Sequence, residues 1–395
     1  MINSLFNRIK ARLLRRRVTF RYSWRFINAK GFVATHRKVM FVSFTQKPQL
    51  ILFFVYYLMT WFFFWHWFLM FRAMRLFSQP TLTLGVPLYT QVIGLLCAGL
   101  GQGISGFEYY KFKLYQQSPS KWWEYVFDFQ LPHFHTTFQV PAINKSSTQY
   151  MSNKVVFSER LKSVNGKCIP TISCVNLDDE WPISDWLKQY PSVFIKPIAG
   201  SRSMGCVSIS LEPRLTYRYL GNNYHSEDEL LTLKSSLPKG QYIVQPFLIN
   251  HSSLQKLQCS SNVITIRAIS CSDTNEIKLV MANLELSNEV NQRFSLFAIN
   301  IENGRVVLDD SFLSSLDCQL NPEMTLPHWH KLISAIKQAH GLCPDIHTVG
   351  WDVVIGQDDV MLLEGNSNWA LNAMQMTCPE PLLSFLSRVS ARYTQ

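Results

Sequence analysis

Two long stretches without charged residues lie near the start of the chain. Residues 49–71 form an apolar run rich in Phe, Trp and Tyr, and residues 81–107 form a second, less hydrophobic run. About 20 apolar residues are enough to cross the hydrocarbon core of a bilayer, so the first run predicts a transmembrane helix. In the second run, two pairs of small residues, Gly94 with Ala98 and Gly99 with Gly103, have the spacing that lets helices approach closely. This pattern predicts a two-helix membrane hairpin.

Each run has an alternative interpretation. The many aromatic side chains of the first run are unusual at the centre of a bilayer, and they are also compatible with a helix that lies in the membrane plane. The second run could instead be a buried helix of a soluble domain. Arg72 and Arg75, between the runs, argue against an outer loop unless their side chains extend to the lipid interface.

After Tyr150 the pattern changes to short elements with turn residues between them. Strands outnumber helices and no regular strand–helix–strand alternation is seen, which predicts an α+β fold with largely antiparallel sheets. One helix is predicted to begin after Asn153, as its N-cap, and to end before Gly166. The other predicted strands are 192–198, 206–211, 241–247, 262–270, 276–286, 293–300, 347–355 and 360–366, and the other predicted helices are 226–237, 328–340 and 380–391.

Charged residues, like apolar residues, are distributed unevenly along the chain. The chain has 38 Lys and Arg against 27 Asp and Glu, yet residues 1–107 contain 14 of the basic residues and no acidic one. A basic arm directly before a long apolar run indicates an anionic membrane surface and makes nucleic acid the less favoured partner. Residues 1–48 are therefore predicted to be a basic amphipathic arm, with a solvated tail as the alternative.

A lysine beside a glycine-rich loop is the first candidate for chemistry. Lys196 ends the apolar run "SVFIKP", and a loop of small and polar residues follows. Such a loop can bring backbone N–H groups and hydroxyls close to phosphate oxygens, while the lysine supplies a compact positive charge. An ordinary β-turn beside a partly buried lysine would give a similar pattern. The loop residues in question are Gly200, Ser201, Arg202, Ser203 and Gly205.

The segment "GWDVVIGQDDVMLLEGN" is the second candidate. A β-hairpin with its turn near 356–359 would place Asp352 close to Glu364, and strand alternation puts Asn366 on the same face as Glu364. Three oxygen ligands on adjacent strands suit Mg²⁺. Two acids in an apolar sheet repel each other unless a cation lies between them. The alternative is that both acids point to solvent.

These segments, in this order, resemble the ATP-grasp superfamily. Lys154 in "SNK", the Lys196 strand and loop, "YIVQPF", "TIR" ending at Arg267, and "GWD…LLEGN" match its motifs over roughly residues 107–380. Within the superfamily, the chain is most similar to the sugar-transfer-associated group of bacterial polysaccharide loci. The resemblance implies two α+β subdomains that grip ATP.

The resemblance also implies roles for individual residues. Arg267 would stabilise the transferring phosphoryl group, with Lys196 as the second catalytic residue. Asp352, Glu364 and Asn366 would hold Mg²⁺, or Mn²⁺ in its place. The residues implied in ATP binding are Lys154, Lys196, Gly200, Ser201, Arg202, Ser203, Gly205, Gln245, Phe247 and Leu248.

The implied reaction is a ligation in which ATP activates a carboxylate as an acylphosphate for an amine or another nucleophile. The acceptor is not defined, because the chain reads "SNWALNAMQ" where the family tends to have a Pro-Gly turn after the metal asparagine. A saccharide and an amino acid are the candidate substrates. A phosphotransferase acting on a hydroxyl and a non-catalytic nucleotide-binding scaffold are the alternatives.

The predicted organisation follows from both kinds of inference. It consists of the basic arm (1–48), a two-helix membrane segment (49–107), a helical and extended linker (108–150) and an ATP-grasp domain (151–395). Membrane lipids are the expected partner of residues 1–107. An ATP-dependent enzyme of cell-envelope polysaccharide biosynthesis is expected at the inner membrane, with its catalytic domain in the cytoplasm, where ATP is available. The nine cysteines form no CxxC pair and are typical of reduced thiols.

Overall fold

The computed structural model describes most of the chain and divides it into two compact units. One comprises residues 1–142 with 368–395, and the other residues 143–367. The basic arm up to residue 40 and the helix predicted at 380–391 lie outside the described residues. The structure describes residues 41, 44, 45, 48, 50–79, 83, 85–127, 131, 135, 144–198, 205–211, 213–219, 221–257, 263–273, 276–288, 293–307 and 324–369.

The described part of the first unit is helical. Its elements are α1 (Leu50–Thr60), a π-helical turn (Trp61–Trp65), α2 (His66–Phe77), α3 (Leu88–Gln102), α4 (Gly106–Lys111) and the 3₁₀ turns Leu114–Gln116 and Lys121–Glu124. The stretch Phe54–Phe77 is one continuous helix of 24 residues, long and apolar enough to cross a membrane, whereas α3 is shorter. Both uncharged runs thus form helices, as predicted, but among the described residues only the first is long enough to span a membrane; the two-span hairpin remains a prediction.

Close approach of these helices depends on a glycine. The Trp61 indole N–H donates a hydrogen bond to the Gly99 carbonyl oxygen at 3.0 Å. A Cβ atom at Gly99 would collide with the His66 ring. A side chain at this position would therefore separate the helices, which confirms the close contact that the small-residue spacing predicts.

The second unit contains six helices and twelve strands in its described residues. The helices are α5 (Lys145–Ser152), α6 (Lys154–Ser163), α7 (Ile183–Gln189), α8 (Glu227–Ser236), α9 (Ser252–Gln255) and α10 (Trp329–Gly341). The strands are β1 (Ser173–Asn176), β2 (Ser192–Pro197), β3 (Val207–Ser210), β4 (Thr216–Tyr219), β5 (Asn222–Tyr224), β6 (Gln241–Pro246), β7 (Thr265–Asp273), β8 (Glu276–Asn288), β9 (Arg293–Ile299), β10 (Val306–Val307), β11 (Thr348–Ile355) and β12 (Val360–Asn366).

These strands form two six-stranded sheets. The orders are β1-β6-β2-β3-β4-β5, called the first sheet below, and β10-β9-β8-β7-β11-β12, called the second sheet. Every pairing within them is antiparallel. The predicted α+β fold with antiparallel sheets is confirmed.

One face of each sheet is covered by helices. In the first sheet, Val193 and Ile195 of β2 pack in a core with Trp186 of α7 and Leu233 of α8. In the second sheet, a larger core contains apolar residues of β7, β8, β11 and β12 together with α5, α6 and α10. Because side chains alternate along a strand, the polar residues between these core positions lie on the opposite face of each sheet.

Helix α6, which carries Lys154, begins and ends at polar residues. The Asn153 side chain accepts hydrogen bonds from the backbone N–H groups of Val155 at 2.9 Å and Val156 at 3.3 Å, so its predicted role as N-cap is confirmed. At the other end, the left-handed conformation belongs to Asn165, with φ 55°, and Gly166 does not adopt it. Asparagine tolerates this conformation better than most residues.

Candidate functional site

Strand alternation places Lys196 on the face of β2 opposite the core. Its neighbours Val193 and Ile195 are fully buried in the helix-covered core, whereas Lys196 faces the other way and is only 8% exposed. Burial and, to a smaller degree, the positive charge of Lys154 together lower the pKa of Lys196 to about 8. An ammonium held in this way binds an anionic group well, because such a group offsets both effects.

The hairpin of β11 and β12 brings the two predicted acids together. Asp352 pairs directly with Glu364, as the sequence predicts, and the register shifts immediately afterwards, between Asp352 and Val353. Asn366 lies on the same face as Glu364, since its side-chain amide donates a hydrogen bond to Glu364 Oε1 at 3.2 Å. All three oxygen-bearing side chains therefore belong to one surface of the second sheet.

Cationic side chains neutralise this acidic pair. Arg267, opposite Asp352 on β7, contacts that carboxylate through Nε at 3.0 Å and Nη2 at 3.4 Å. Lys154 Nζ lies 3.8 Å from Glu364 Oε2. Burial raises the pKa of Asp352 to about 7 even though the positive charge of Arg267 opposes the shift. The two-point contact with a guanidinium favours the charged carboxylate.

Glu285 is a member of the site that the sequence did not reveal. Its Oε2 atom lies 3.7 Å from Arg267 Nη1, so Arg267 lies between two carboxylates. Burial raises the pKa of Glu285, and Arg267 acts in the opposite direction. The strand 276–286 is predicted from sequence, but the pairing of Glu285 with Thr265 sets its place beside Arg267. That pairing follows a register shift which the residue pattern does not show.

The donor chemistry of the hairpin fits a hard divalent cation. Two carboxylates and an amide on neighbouring positions are the ligand types that Mg²⁺ selects. Within the described ranges, no group of three His, Cys, Asp or Glu side chains has a metal-holding arrangement. Asn366 is the additional oxygen-bearing side chain on the same face as Glu364. Asp352 and Glu364 are both paired with cationic side chains in this structure. A divalent cation would therefore replace an existing positive charge.

Gly205 is the only residue of the predicted phosphate loop that lies within the described ranges; Gly200, Ser201, Arg202 and Ser203 lie outside them. Gly205 has φ +79°, and a Cβ atom there would lie 2.9 Å from Pro238 Cδ and 3.1 Å from Pro197 Cγ. Both the backbone angle and the neighbouring prolines therefore require glycine. The chain can enter β3 close to Lys196 only with this residue.

The segment predicted to contact the adenine, Gln245 to Leu248, begins at the end of β6 and continues beyond it. Gln245 lies opposite Phe194 on the site face, and its buried Oε1 atom has no hydrogen-bond partner in the described part of the chain. The backbone N–H of Phe247 donates to the Ser192 carbonyl oxygen at 3.0 Å, and Leu248 is half-buried. Beyond this segment, the Asn250 side chain bonds to both backbone groups of Ile264.

Two residues near this segment have structural roles. His251 Nδ1 accepts a hydrogen bond from the Ser253 backbone N–H at 3.2 Å and so caps α9. The Ser252 backbone N–H donates to the Gln357 side chain at 3.2 Å. Neither contact identifies a group for a ribose, and no acidic residue takes that position in this described segment.

A comparison with known protein families matches the C-terminal part of the chain. The family model described as sugar-transfer associated ATP-grasp matches residues 319–391, which include β11, β12 and their three oxygen-bearing residues. No protein of curated function matches the chain. The chain thus resembles the ATP-grasp superfamily. Within that superfamily it resembles the sugar-transfer associated group.

Solved structures provide further likenesses. D-alanine–D-alanine ligase from Helicobacter pylori has a TM-score of 0.39 and 14% identity, over 62% of this chain and 61% of that chain. D-alanyl-alanine synthetase A from Vibrio cholerae has a TM-score of 0.40 and 10% identity, over 63% and 68%. The ATP-grasp ligase PsnB, complexed with a precursor variant, Mg and ADP, has a TM-score of 0.38 and 12% identity, over 64% and 61%. The chain thus spans about three fifths of the first and third of these proteins.

Proposed function

We propose that this protein is an ATP- and Mg²⁺-dependent ligase of the ATP-grasp type. One observation carries the proposal: Lys196 on the first sheet, Lys154 on α6 and the Arg267–Asp352–Glu364 network on the second sheet interact electrostatically within one compact unit. Such a set of cations and acids can hold a polyphosphate together with a divalent ion.

The nucleotide would be held by three groups of residues. Lys154 and Lys196 supply positive charge to the phosphates, and the loop with Gly200, Ser201, Arg202, Ser203 and Gly205 supplies backbone N–H groups and hydroxyls. The backbone from Gln245 to Leu248 would meet the edge of the adenine. Phe247 would contribute an apolar surface, because its ring lies beside that of Phe194, with centroids 6.5 Å apart.

Asp352, Glu364 and Asn366 would hold Mg²⁺, or Mn²⁺ in its place. Bound there, the ion supplies concentrated positive charge at the phosphate oxygens. The protein residues perform the remaining tasks: Lys196 fixes the phosphate chain, and Arg267 places a fixed cation near the charge that develops on the transferring phosphoryl group. The loop at 200–205 would exclude water from the reactive intermediate.

The proposed reaction has two steps. A carboxylate oxygen of the substrate attacks the γ-phosphorus, the bond from that phosphorus to the β–γ bridging oxygen breaks, and ADP leaves with the electron pair. An amine or another nucleophile then attacks the acyl carbon of the acylphosphate, and inorganic phosphate leaves. The amine loses one proton to solvent or buffer.

The cellular role that we propose is assembly of cell-envelope polysaccharide at the cytoplasmic face of the inner membrane. Support comes from the sugar-transfer association of the matched family and from the apolar helix Phe54–Phe77. The basic composition of residues 1–107 adds an affinity for anionic lipid. A saccharide and an amino acid are the substrate classes to examine first.

The test is an assay of ADP and phosphate release by the detergent-purified chain, with amino acids and lipid-linked saccharides as substrates. We expect release of both products to require a carboxylate and a nucleophile together, and to be lost in Lys196→Ala. Transfer of phosphate to one acceptor as a stable product would indicate a phosphotransferase. ATP binding that is unchanged in the double variant Asp352→Ala, Glu364→Ala would indicate a scaffold without turnover.

A further inference from the structure

The first unit exposes a large apolar surface on its helices. Phe63 is 79% exposed, and α1, the π-helical turn and α2 leave further large apolar side chains in contact with solvent. Helix α3 adds Leu88, Tyr89 and Ile93. Contiguous apolar surfaces of this kind mark contacts with membranes or with other proteins. The exposed large apolar side chains of the first three elements are Ile51, Leu52, Val55, Tyr56, Met59, Phe63, Phe64, Trp67, Phe68, Phe71 and Leu76.

Helix α3 is too short to return across a bilayer. It has 15 residues, which at the helical rise of about 1.5 Å per residue give a length of about 22 Å. The hydrocarbon core is about 30 Å thick. A hairpin that crossed the membrane in α1 and α2 could not cross back within α3.

A charged segment packs against α2, the second part of the hairpin's first arm. Gly106 lies against Met70 and Ala73 of α2, and the Phe107 ring packs edge-on against Phe77 at 6.0 Å. Arg72 lies over the same Phe107 ring, at 5.8 Å. The segment 106–124 that packs there contains Glu108, Lys111, Lys113, Lys121 and Glu124.

Hydrogen bonds join this charged segment to the start of α3, next to the turn that connects α2 with α3. The Tyr110 hydroxyl donates to Gln91 Oε1 at 2.8 Å, and Gln91 Nε2 donates to the Val86 carbonyl oxygen at 2.7 Å. If the hairpin crossed the bilayer, the segment bound to it would enter the hydrocarbon or emerge on the far side. A Lys, Arg or Asp side chain at the centre of a membrane helix is strongly disfavoured, because its charge loses the solvation of water.

The charge of the surrounding sequence indicates which surface covers the apolar side chains. Residues 1–107 carry 14 basic residues and no acidic one, so an anionic surface is complementary. Helices that lie in a lipid interface combine aromatic and Leu side chains on one face with Lys and Arg nearby. A second copy of the same chain would bring two strongly basic segments together, and their repulsion opposes such pairing.

We infer that α1, the π-helical turn, α2 and α3 form an in-plane anchor that enters one leaflet of an anionic bilayer without crossing it. The inference rests on the membrane association proposed above and specifies its geometry. The exposed aromatic surface lies among the acyl chains, while Arg72, Arg75 and the segment 106–124 stay at the headgroups or in water. The turn after α2 then remains on the same side of the membrane as residue 108 and the chain that follows it.

The sidedness of that turn tests the inference directly. In the full chain, expressed in bacterial spheroplasts, an impermeant maleimide is applied to Gln79→Cys and, for comparison, to Asp185→Cys on the exposed face of α7. Labelled sites are identified by peptide mass mapping, which separates them from the native cysteines. We expect both introduced cysteines to react at least tenfold more after the membrane is permeabilised.

Three outcomes would overturn the inference. Labelling of Gln79→Cys, but not of Asp185→Cys, in intact spheroplasts would show a crossing between them. Labelling of Gln79→Cys from neither side would place the turn inside the hydrocarbon. Labelling of both from outside would be a third such outcome, because a single crossing by α1 and α2 that starts from a cytoplasmic basic arm places both positions outside.

Vesicle binding tests the surface itself. The double variant Phe63→Ser, Phe64→Ser is compared with Leu231→Ser, which removes a side chain that is 63% exposed on α8 of the second unit. On vesicles of equal parts phosphatidylglycerol and phosphatidylcholine, we expect the double variant to bind at least about tenfold more weakly and Leu231→Ser to bind like the unchanged chain. Binding that is unaffected by the double variant, or a lipid-free dimer that the double variant dissociates, would refute the anchor. ATP turnover in detergent reports separately on the proposed ligase function.

Discussion

The two sheets of the second unit differ in whether their charged side chains form ion pairs. The first sheet buries Lys196 on its site face, and no carboxylate of the described residues forms an ion pair with it. The second sheet places Arg267 between Asp352 and Glu285, and Lys154 of the adjacent helix contacts Glu364. Among the described residues, Lys196 of the first sheet thus has no ion-pair partner within 4 Å, whereas the charges of the second sheet are already paired. Lys196 on the first sheet therefore favours an anionic ligand. A divalent cation at the second sheet has to compete with Arg267 and Lys154 for the carboxylates.

Removal of the acids of the second sheet should have the largest effect. In Asp352→Asn and in Glu364→Gln, we expect ATP turnover to fall at least about 1,000-fold, because each change removes a charged oxygen ligand without altering side-chain shape. ADP release at saturating Mg-ATP is the measurement. The exposed Asp358→Asn, in the turn of the same hairpin, serves as control and should retain turnover. Equal ADP release in all three variants would show that the β11–β12 hairpin does not take part in ATP turnover.

Replacement of the arginine should have a smaller but still large effect. We expect Arg267→Lys to lower kcat about 100-fold with little change in KM for ATP, because lysine cannot make the two-point contact that positions the charge. Steady-state kinetics measure both constants. Arg214→Lys, at an exposed position, is the matched control. A change confined to KM would assign Arg267 to substrate binding.

Lys196→Met, in the first sheet, should weaken ATP binding and at the same time stabilise the ligand-free fold. ATP affinity, measured by calorimetry, should fall about 10- to 100-fold, because a charge-assisted contact with phosphate is lost. The ligand-free Tm at pH 7 should rise, because the buried ammonium, whose pKa is lowered to about 8, no longer disfavours the folded state.

The pH dependence of that rise has a definite sign. The folded-state pKa of Lys196 lies below the ordinary 10.5, so the unfolded state binds more protons between about pH 8 and 10.5. The stability cost of the lysine is complete below pH 8 and disappears as the pH approaches 10.5. The gain in Tm in Lys196→Met should thus be larger at pH 7 than at pH 10, and Lys188→Met, on exposed α7, should show no such difference. An equal gain at both pH values would contradict the burial argument.

Glu285→Gln should have the smallest effect. Arg267 keeps its contact with Asp352, whose Nε–Oδ1 distance is 3.0 Å, and loses only the charged partner at 3.7 Å. We expect kcat to fall about three- to tenfold and Glu285→Asp to recover part of it. Steady-state kinetics of Glu285→Gln and Glu285→Asp measure both kcat values. A loss as large as that of Arg267→Lys would mean that Glu285 acts on the substrate and does not merely position Arg267.

The sequence allowed the second sheet to be predicted better than the first. The long strands β7, β8, β9, β11 and β12 have clear apolar patterns, and the close approach of Asp352 to Glu364 follows from a short hairpin. Strands β4 and β5 were missed because "TYRY" and "NNY" are short and polar, and hydrogen bonds to their neighbours make them strands. The contact of Arg267 with Glu285 depends on strand register, which local patterns do not determine.

The order of the site residues along the chain has a consequence for folding. Asp352 and Glu364 are joined by a short hairpin, whereas the arginine that neutralises Asp352 is 85 residues away. Closing a long loop costs more conformational entropy than closing a short one, so the hairpin is expected to form first. Until β7 docks, the nascent acidic pair relies on solvent and on mobile ions to screen its repulsion. Refolding of this unit should accordingly be faster when divalent cations are present.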